Sequence, residues 1–341
     1  MHPAILAIES SCDETAASII VDGKVLNNIV ATQFVHKNYG GVVPELASRE
    51  HQKNIVPVVD EALKKAAINI SDLDAVAFTQ GPGLLGSLLV GASFAKSIAM
   101  VNSIPLISVH HMQAHILSHF IDKPHPVFPF LCLTISGGHT QIILVIDYLI
   151  MKVLGETRDD AVGEAFDKGA KILGLPYPGG PLIDKYSKKG DENFVDFPVT
   201  ELAGLDFSFS GIKTSLLYYL RDQQKKNRNF INDHLNDICA SYQKALVKML
   251  LIKLEQASKE TGIKELAIAG GVSVNSFLRN SLDEKSKEMN WNVHYPKFEY
   301  CTDNAAMVAM TAHYKYINNQ FEKADVKVDP RLKFPENEIN F

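Results

Sequence analysis

One pattern of segments occurs twice along this chain, and it restricts the fold more than composition does. Ala4 to Ile8 reads as a strand, Glu9-Ser-Ser-Cys-Asp-Glu-Thr15 as a polar turn, and Ala16 to Val21 as a second strand. A turn at Asp22-Gly23 then leads into a third strand, Lys24 to Thr32. The same order returns as Phe130 to Ile135, the tight turn Ser136-Gly-Gly-His-Thr140, Gln141 to Ile146 and Leu149 to Thr157. Each copy is followed by a strand, a glycine turn and a helix. In the first these are Ala75 to Thr79, Gln80-Gly-Pro-Gly83 and Leu84 to Met100; in the second, Glu265 to Ala269, Gly270-Gly-Val-Ser273 and Val274 to Met289. The repetition predicts two duplicated α/β domains with mixed sheets and a cleft between them. A length of 341 residues accommodates two such domains.

The remaining stretches read as connections. Pro176 to Ser210, rich in Gly, Pro and Asp, predicts long functional loops; Arg221 to Asn229 and the tail after Gln320 predict solvated, non-helical segments. The apolar start meets Glu9 too early for a signal peptide or a membrane span, so export and membrane insertion are not expected. Cys12, Cys132, Cys239 and Cys301 form no CxxC pair, which points away from a disulfide framework or a cysteine zinc site and toward a reducing cytosol. A formal charge of -5 disfavours gripping nucleic acid through an overall basic surface, so any RNA contact must be local or supplied by a partner.

Three glycine turns, Gly81-Pro-Gly83, Ser136-Gly-Gly138 and Gly270-Gly271, follow strands and are candidates to present backbone N–H groups to a phosphate. None matches a Walker loop or a full dinucleotide fingerprint, and a plain turn is the alternative for each. His110 to His119 holds four of the twelve histidines. His111 and His115 lie four residues apart, on one helical face, a spacing suited to two ligands of one metal ion; His115 and His119 share it, and packed or solvated histidines are the alternative. Asp303, just before a predicted helix, is a candidate third ligand. The same spacing occurs in HExxH zinc proteases, but their general-base position is Met112 here, which speaks against proteolysis. Asp13 and Glu14 in the first polar turn are candidate proton acceptors or substrate-orienting groups, with turn capping as the alternative. For Asp167 the alternative is a surface carboxylate.

Several runs together resemble one family. They are Ile8-Glu-Ser-Ser-Cys-Asp-Glu-Thr15, Tyr39-Gly-Gly-Val-Val-Pro-Glu-Leu-Ala-Ser-Arg-Glu-His51, Gln80-Gly-Pro-Gly-Leu-Leu-Gly86, His110-His-Met-Gln-Ala-His115, Ser136-Gly-Gly-His-Thr-Gln141, Gly163-Glu-Ala-Phe-Asp-Lys168, Tyr177-Pro-Gly-Gly-Pro181, Leu205-Asp-Phe-Ser-Phe-Ser-Gly211, Ala269-Gly-Gly-Val-Ser273 and Cys301-Thr-Asp-Asn304. In order and wording they resemble the bacterial or organellar tRNA N6-adenosine threonylcarbamoyltransferases, a family formerly described as O-sialoglycoprotein endopeptidases. The resemblance runs from about residue 4 to about residue 312. Many relatives have Glu-Gly where this chain has Gln113-Ala114, which leaves both presumed histidine ligands in place.

The resemblance implies the fold of actin, Hsp70 and sugar kinases: two duplicated domains, 1–125 plus 302–341 and 126–301, around a nucleotide-binding cleft. It implies one divalent metal ion per subunit, iron first and zinc second, on His111, His115 and Asp303. Substrate contacts would come from Thr134, Ile135, Ser136, Gly137, Gly138, Asp167, Gly180, Asp184 and Asn275. The implied reaction moves a threonylcarbamoyl group from threonylcarbamoyl-AMP, made by a separate synthase, to the N6 amine of the adenosine 3′-adjacent to the anticodon, in tRNAs reading codons that begin with A. Asp13, Glu14 or His139 would orient that amine or take its proton. The implied partners are tRNA, a paralogous inactive subunit and a small ATPase, in the cytoplasm and away from membranes. The rival expectations are an ATP-dependent kinase or ATPase of the same fold and a non-catalytic scaffold paralogue.

Overall fold

The first strand, β1 (Ala4–Glu9), is buried over its whole length, which explains why its sequence is an unbroken apolar run rather than an alternating one. It lies inside a sheet, antiparallel to β2 (Glu14–Val21) on one side and parallel to β5 (Ala75–Gly81) on the other. The hairpin continues into β3 (Lys24–Val25) and β4 (Ile29–Thr32), both paired with β2. The third strand expected over 24–32 is therefore two. Asn27 separates them by spending its amide on the backbone: its Oδ1 accepts the Ile19 N–H and its Nδ2 donates to the Ala62 carbonyl. A side chain thereby replaces one rung of the ladder.

Helix α1 (Pro44–Ala66) precedes β5, and α2 (Leu85–Asn102) follows it. The buried face of α1, with Ala47, His51, Ile55, Val58, Val59 and Ala62, repeats every three to four residues. It closes a core with Leu6, Ile8, Ile19 and Phe78. Among the described residues, α2 is the one helix long and apolar enough to cross a membrane, yet Leu88, Ala92, Ala95 and Ala99 pack it onto β5 and α1. Strand β6 (Leu106–His110) completes the order β3-β2-β1-β5-β6 and runs directly into α3 (His111–Leu117).

The second sheet holds β7 (Phe130–Ile135), β8 (Thr140–Asp147) and β9 (Ile150–Glu156). Helices α4 (Val162–Ile172), α5 (Gly180–Ser187), α6 (Ser210–Gln224), α7 (Phe230–Asp233) and α8 (Leu235–Thr261) follow, then β10 (Glu265–Ala269), α9 (Ser276–Met289) and β11 (Asn292–His294). The order β11-β10-β7-β8-β9, with β7 antiparallel to β8 and parallel to β10, is the first sheet's plan again. The chain ends with α10 (Phe298–Cys301) and α11 (Ala305–Ile317). The computed structural model describes residues 3–199 and 202–335. These divide into one unit of 3–126, 147–151 and 296–335 and a second of 127–146, 152–199 and 202–295.

Three connections differ from expectation. Pro176 to Ser210 contains α5, whose Pro181 sits in the first turn, where a missing N–H costs nothing. Residues 221–224 belong to α6, and only the remainder of that charged run is a solvated loop. The tail after Gln320 is docked to the first unit through its backbone. Glu322 N–H donates to Leu106, Asp329 N–H to Gln80 and Gly83 N–H to Pro330. Backbone bonds of this kind leave no mark in side-chain composition.

Candidate metal centre and nucleotide pocket

In the first unit, β6 hands the chain to α3 without a loop, and the helical spacing puts His111 and His115 side by side with ring centres 4.7 Å apart. Asp303 reaches them from the turn before α11, where Asn304 accepts the Met307 N–H and caps the helix. Its Oδ1 lies 3.4 Å from His111 Nε2 and 3.2 Å from His115 Nε2. One ligand atom from each residue falls within 4.8 Å of the others. His119, the alternative partner of His115, is buried in the following turn and is not part of this group.

The electrostatics suit a cation. Burial alone would raise the Asp303 carboxyl, but His111 and then His115 hold it far below the usual carboxylate range. Burial lowers the affinity of His111 for a proton, and Asp303 and Glu9 outweigh it, so this imidazole is held well above its ordinary value. His115 moves the other way, because burial dominates. The His111 ring thus lies between the buried Glu9 and the partly buried Asp303, and Nδ1 of His115 is buried without a hydrogen-bond partner. Two imidazole nitrogens, a carboxylate oxygen and an excess of negative charge fit a divalent ion.

Around this group, Glu14 has its carboxyl pushed up to about 10 by burial and by the neighbouring Asp303 and Asp13. Asp13 lies half-buried in the same turn. The turn is braced by His51, whose ring contacts the Thr15 hydroxyl at 2.8 Å and the Cys12 carbonyl at 3.0 Å. Gly81-Pro-Gly83, one of the three candidate phosphate loops, takes the alternative form of a plain turn. The Gly83 N–H serves Pro330, and side chains at Gly81 and Gly83 would strike the Asp329 and Ser11 carbonyls. These glycines allow close backbone packing instead.

The second unit carries a cavity of about 260 Å³ lined by Gly137, Gly163, Phe166, Asp167, Gly180, Asp184, Val272 and Asn275, among others. That size is slightly below the roughly 300–1,000 Å³ of drug-sized ligand pockets and fits one end of a larger ligand. Of the expected substrate residues, Gly137, Asp167, Gly180, Asp184 and Asn275 line it. Thr134 and Ile135 are buried in β7, and Ser136 and Gly138 lie in the turn after it, outside the lining. His139 belongs to the same turn, where its N–H donates to Ser136 Oγ. A side chain at Gly137 or Gly138 would meet no protein atom within 4 Å, so this turn faces open space.

Asp167 is half-buried rather than a surface carboxylate: its Oδ1 accepts the Gly179 and Gly180 N–H groups at 2.8 and 3.2 Å, and burial raises its carboxyl despite those bonds. Asn275 caps α9 by accepting the Leu278 N–H and donates to Gln243, while Ser276 donates to Asp184. Phe166, Val272 and Val274 supply apolar lining that sequence reasoning did not single out. Phe166 lies within the Gly163–Lys168 run and Val272 within the Ala269–Ser273 run, and nothing in residue type marks either as a lining residue. Gln243, thirty-two positions away on α8, had no sequence signal at all.

The duplicated sheet plan, with a His/His/Asp group in one unit and a cavity beside a glycine turn in the other, defines an enzyme-like member of the actin, Hsp70 and sugar-kinase fold class. Full-length HypF in its phosphate- and nucleotide-bound form superposes with a TM-score of 0.64 at 14% identity, over 94% of this chain and 47% of that one. The ROK hexokinase of Thermus thermophilus gives 0.50 at 14% identity, over 92% and 99%. At that identity the likeness is one of fold. In sequence, residues 24–310 match TsaD, tRNA N6-adenosine threonylcarbamoyltransferase. A protein of that name from Christiangramia forsetii is 58% identical over 333 residues, 97% of this chain and 98% of the relative. The chain belongs to the tRNA N6-adenosine threonylcarbamoyltransferase family.

Proposed function

We propose that this chain transfers the threonylcarbamoyl group of threonylcarbamoyl-AMP to the N6 amine of the adenosine 3′-adjacent to the anticodon, in tRNAs reading codons that begin with A. The observation that carries the reading is family membership across nearly the whole chain, in a protein whose His111, His115 and Asp303 converge. These three residues are assigned the metal, one ion per subunit, with iron preferred and zinc as the alternative. A divalent ion there would supply Lewis-acid stabilisation of charge developing on the acyl group and the leaving phosphate.

The chain's own residues do the rest. Asp184 and Asn275, with the backbone of Gly180 and the carboxyl of Asp167, hold the nucleoside end of the donor in the cavity of the second unit. Phe166, Val272 and Val274 give its base an apolar wall. The open turn after Thr134 and Ile135 offers the Gly137 and Gly138 N–H groups to the phosphate, while the Ser136 N–H, donated to the His139 carbonyl, holds the turn. Asp13 of the first unit, or His139 of the second, orients the amine or accepts its proton, and Glu14, whose raised carboxyl keeps its proton, orients it. An adenosine in an anticodon loop is unpaired, so presenting its amine breaks no long duplex.

The reading includes a cytoplasmic location, a paralogous inactive subunit and a small ATPase as partners, and domain limits of 1–125 plus 302–341 and 126–301, of which 1–2, 200–201 and 336–341 lie outside the described residues. The test is His111→Ala and His115→Ala in a purified system with tRNA, synthesised adenylate and partners. Loss of modification with the fold retained is expected. Full activity in both variants would remove the metal assignment.

A further inference from the structure

Glu9, the last residue of β1, is fully buried and every polar contact it makes points to one task. Its Oε1 accepts the Ser11 N–H at 2.5 Å, and its Oε2 accepts the Thr79 hydroxyl at 2.7 Å. His111 Nδ1 lies 3.2 Å from the same Oε2 and 3.2 Å from the Ser11 hydroxyl, which can accept as well as donate. A carboxylate can only accept, so in that contact His111 Nδ1 is the donor. A neutral imidazole with its hydrogen on Nδ1 keeps its lone pair on Nε2. Nε2 is the nitrogen that faces Asp303, at 3.4 Å. Glu9 is outside the group whose ligand atoms converge, which contains His111, His115 and Asp303. His115 has no comparable support, since its own Nδ1 is buried without a partner.

We infer that Glu9 is a positioning residue of the metal centre: anchored by Ser11 and Thr79, it fixes the ring and the tautomer of His111 so that Nε2 is presented alongside His115 and Asp303. The three neighbouring strands β1, β5 and β6 meet here, delivering Glu9, Thr79 and the residue before His111. The carboxylate also adds negative charge behind the imidazole and makes Nε2 a stronger donor to a cation. The inference rests on the metal reading given above and adds a residue to it that no ligand spacing reveals.

Glu9→Gln separates this role from packing. The amide has nearly the same shape, but one of its two ends must be a donor. Turned toward Ser11 it opposes an N–H. Turned toward His111 and Thr79 it opposes the ring N–H and forces the hydrogen to Nε2, where it blocks coordination.

The experiment is Co2+ titration of the purified full chain, followed by visible absorption and by competition with a chromophoric chelator, for wild type, Glu9→Gln, Thr79→Val and His111→Ala. Circular dichroism and thermal melts monitor the fold. A loss of Co2+ affinity of roughly 10–100-fold is expected for Glu9→Gln, a smaller loss for Thr79→Val, and a wild-type-like absorption band for Glu9→Gln at saturating Co2+. Wild-type affinity in folded Glu9→Gln overturns the inference. If that variant does not fold, Thr79→Val decides, since it removes one anchor of Glu9 and leaves His111 untouched; unchanged affinity there overturns it equally. If wild type takes up no Co2+, or His111→Ala binds as well as wild type, the metal reading itself fails and the role of Glu9 falls with it.

Discussion

Replacing Gln243 by leucine tests how the nucleotide pocket is held. Gln243 is 1% exposed and is not among the residues lining the cavity, yet it connects two elements of the pocket wall. Its Oε1 accepts from Asn275 Nδ2 at 2.8 Å, and its Nε2 donates to Ser187 Oγ at 2.8 Å. Ser187 in turn donates to the Asp184 carbonyl. Leucine preserves volume and removes both bonds. Two net hydrogen bonds are worth about 2 kcal/mol, and the stranded Asn275 amide adds roughly 1 kcal/mol or more of unmet desolvation. At about 2–4 °C per kcal/mol for a unit of this size, the Tm should fall by about 6–12 °C. Asn275 keeps its cap bond to Leu278 but loses the contact that fixes its amide. AMP affinity, read by calorimetry on the full chain, should therefore fall by about tenfold, equivalent to about 1.4 kcal/mol. Gln243→Glu keeps the acceptor facing Asn275 and should lose less. An unchanged Tm together with an unchanged AMP affinity in Gln243→Leu would refute the idea that a buried amide on α8 positions Asn275.

Two further outcomes follow from the second unit. Gly270 has φ of +91°, and a side chain there would overlap the Ile135 carbonyl. Gly270→Ala should cost about 2–4 kcal/mol from strain and overlap, visible as a lower Tm and reduced soluble yield. For Asp160, burial raises the carboxyl, but Lys168 and Lys213 outweigh it and hold it below 3.8. A depressed folded value means the stabilisation is complete above the unfolded value and is lost as pH falls through the folded one. The Tm gap between wild type and Asp160→Asn should be flat near neutrality and close only below about pH 3.8.

Strands were the most legible part of this fold, because central strands of mixed sheets are apolar throughout. The expected limits of β7 and β10 coincide with the observed Phe130–Ile135 and Glu265–Ala269. The short strands β6 and β11 were not expected, and the strand expected over 24–32 is split at Asn27, where a side-chain amide competes for the backbone. Helix α5 was hidden because Gly180 and Pro181 read as loop residues, although proline is favoured in a first turn. Within the candidate site, the four-residue spacing of His111 and His115 was visible, but the choice between His111 and His119 needed Asp303 in space. Glu9 stands within the Ile8–Thr15 run but nothing local marks its role, and Gln243 lies outside every motif. Their partners are 102 and 32 positions away, and only the closing of the sheets brings them together. Gly83 shows the converse. A glycine turn that looks ready for phosphate is occupied by the chain's own tail.

The most direct test of the account is transfer of labelled threonylcarbamoyl from its adenylate to unmodified tRNA, with the chain alone and with the paralogous subunit and ATPase, before and after chelation. The account predicts labelled N6-threonylcarbamoyladenosine that disappears on chelation, returns with added divalent metal, and is abolished by His115→Ala. Absence of product with authentic partners, accompanied by ATP-dependent phosphorylation of a small molecule, would contradict it and point to a kinase of the same fold.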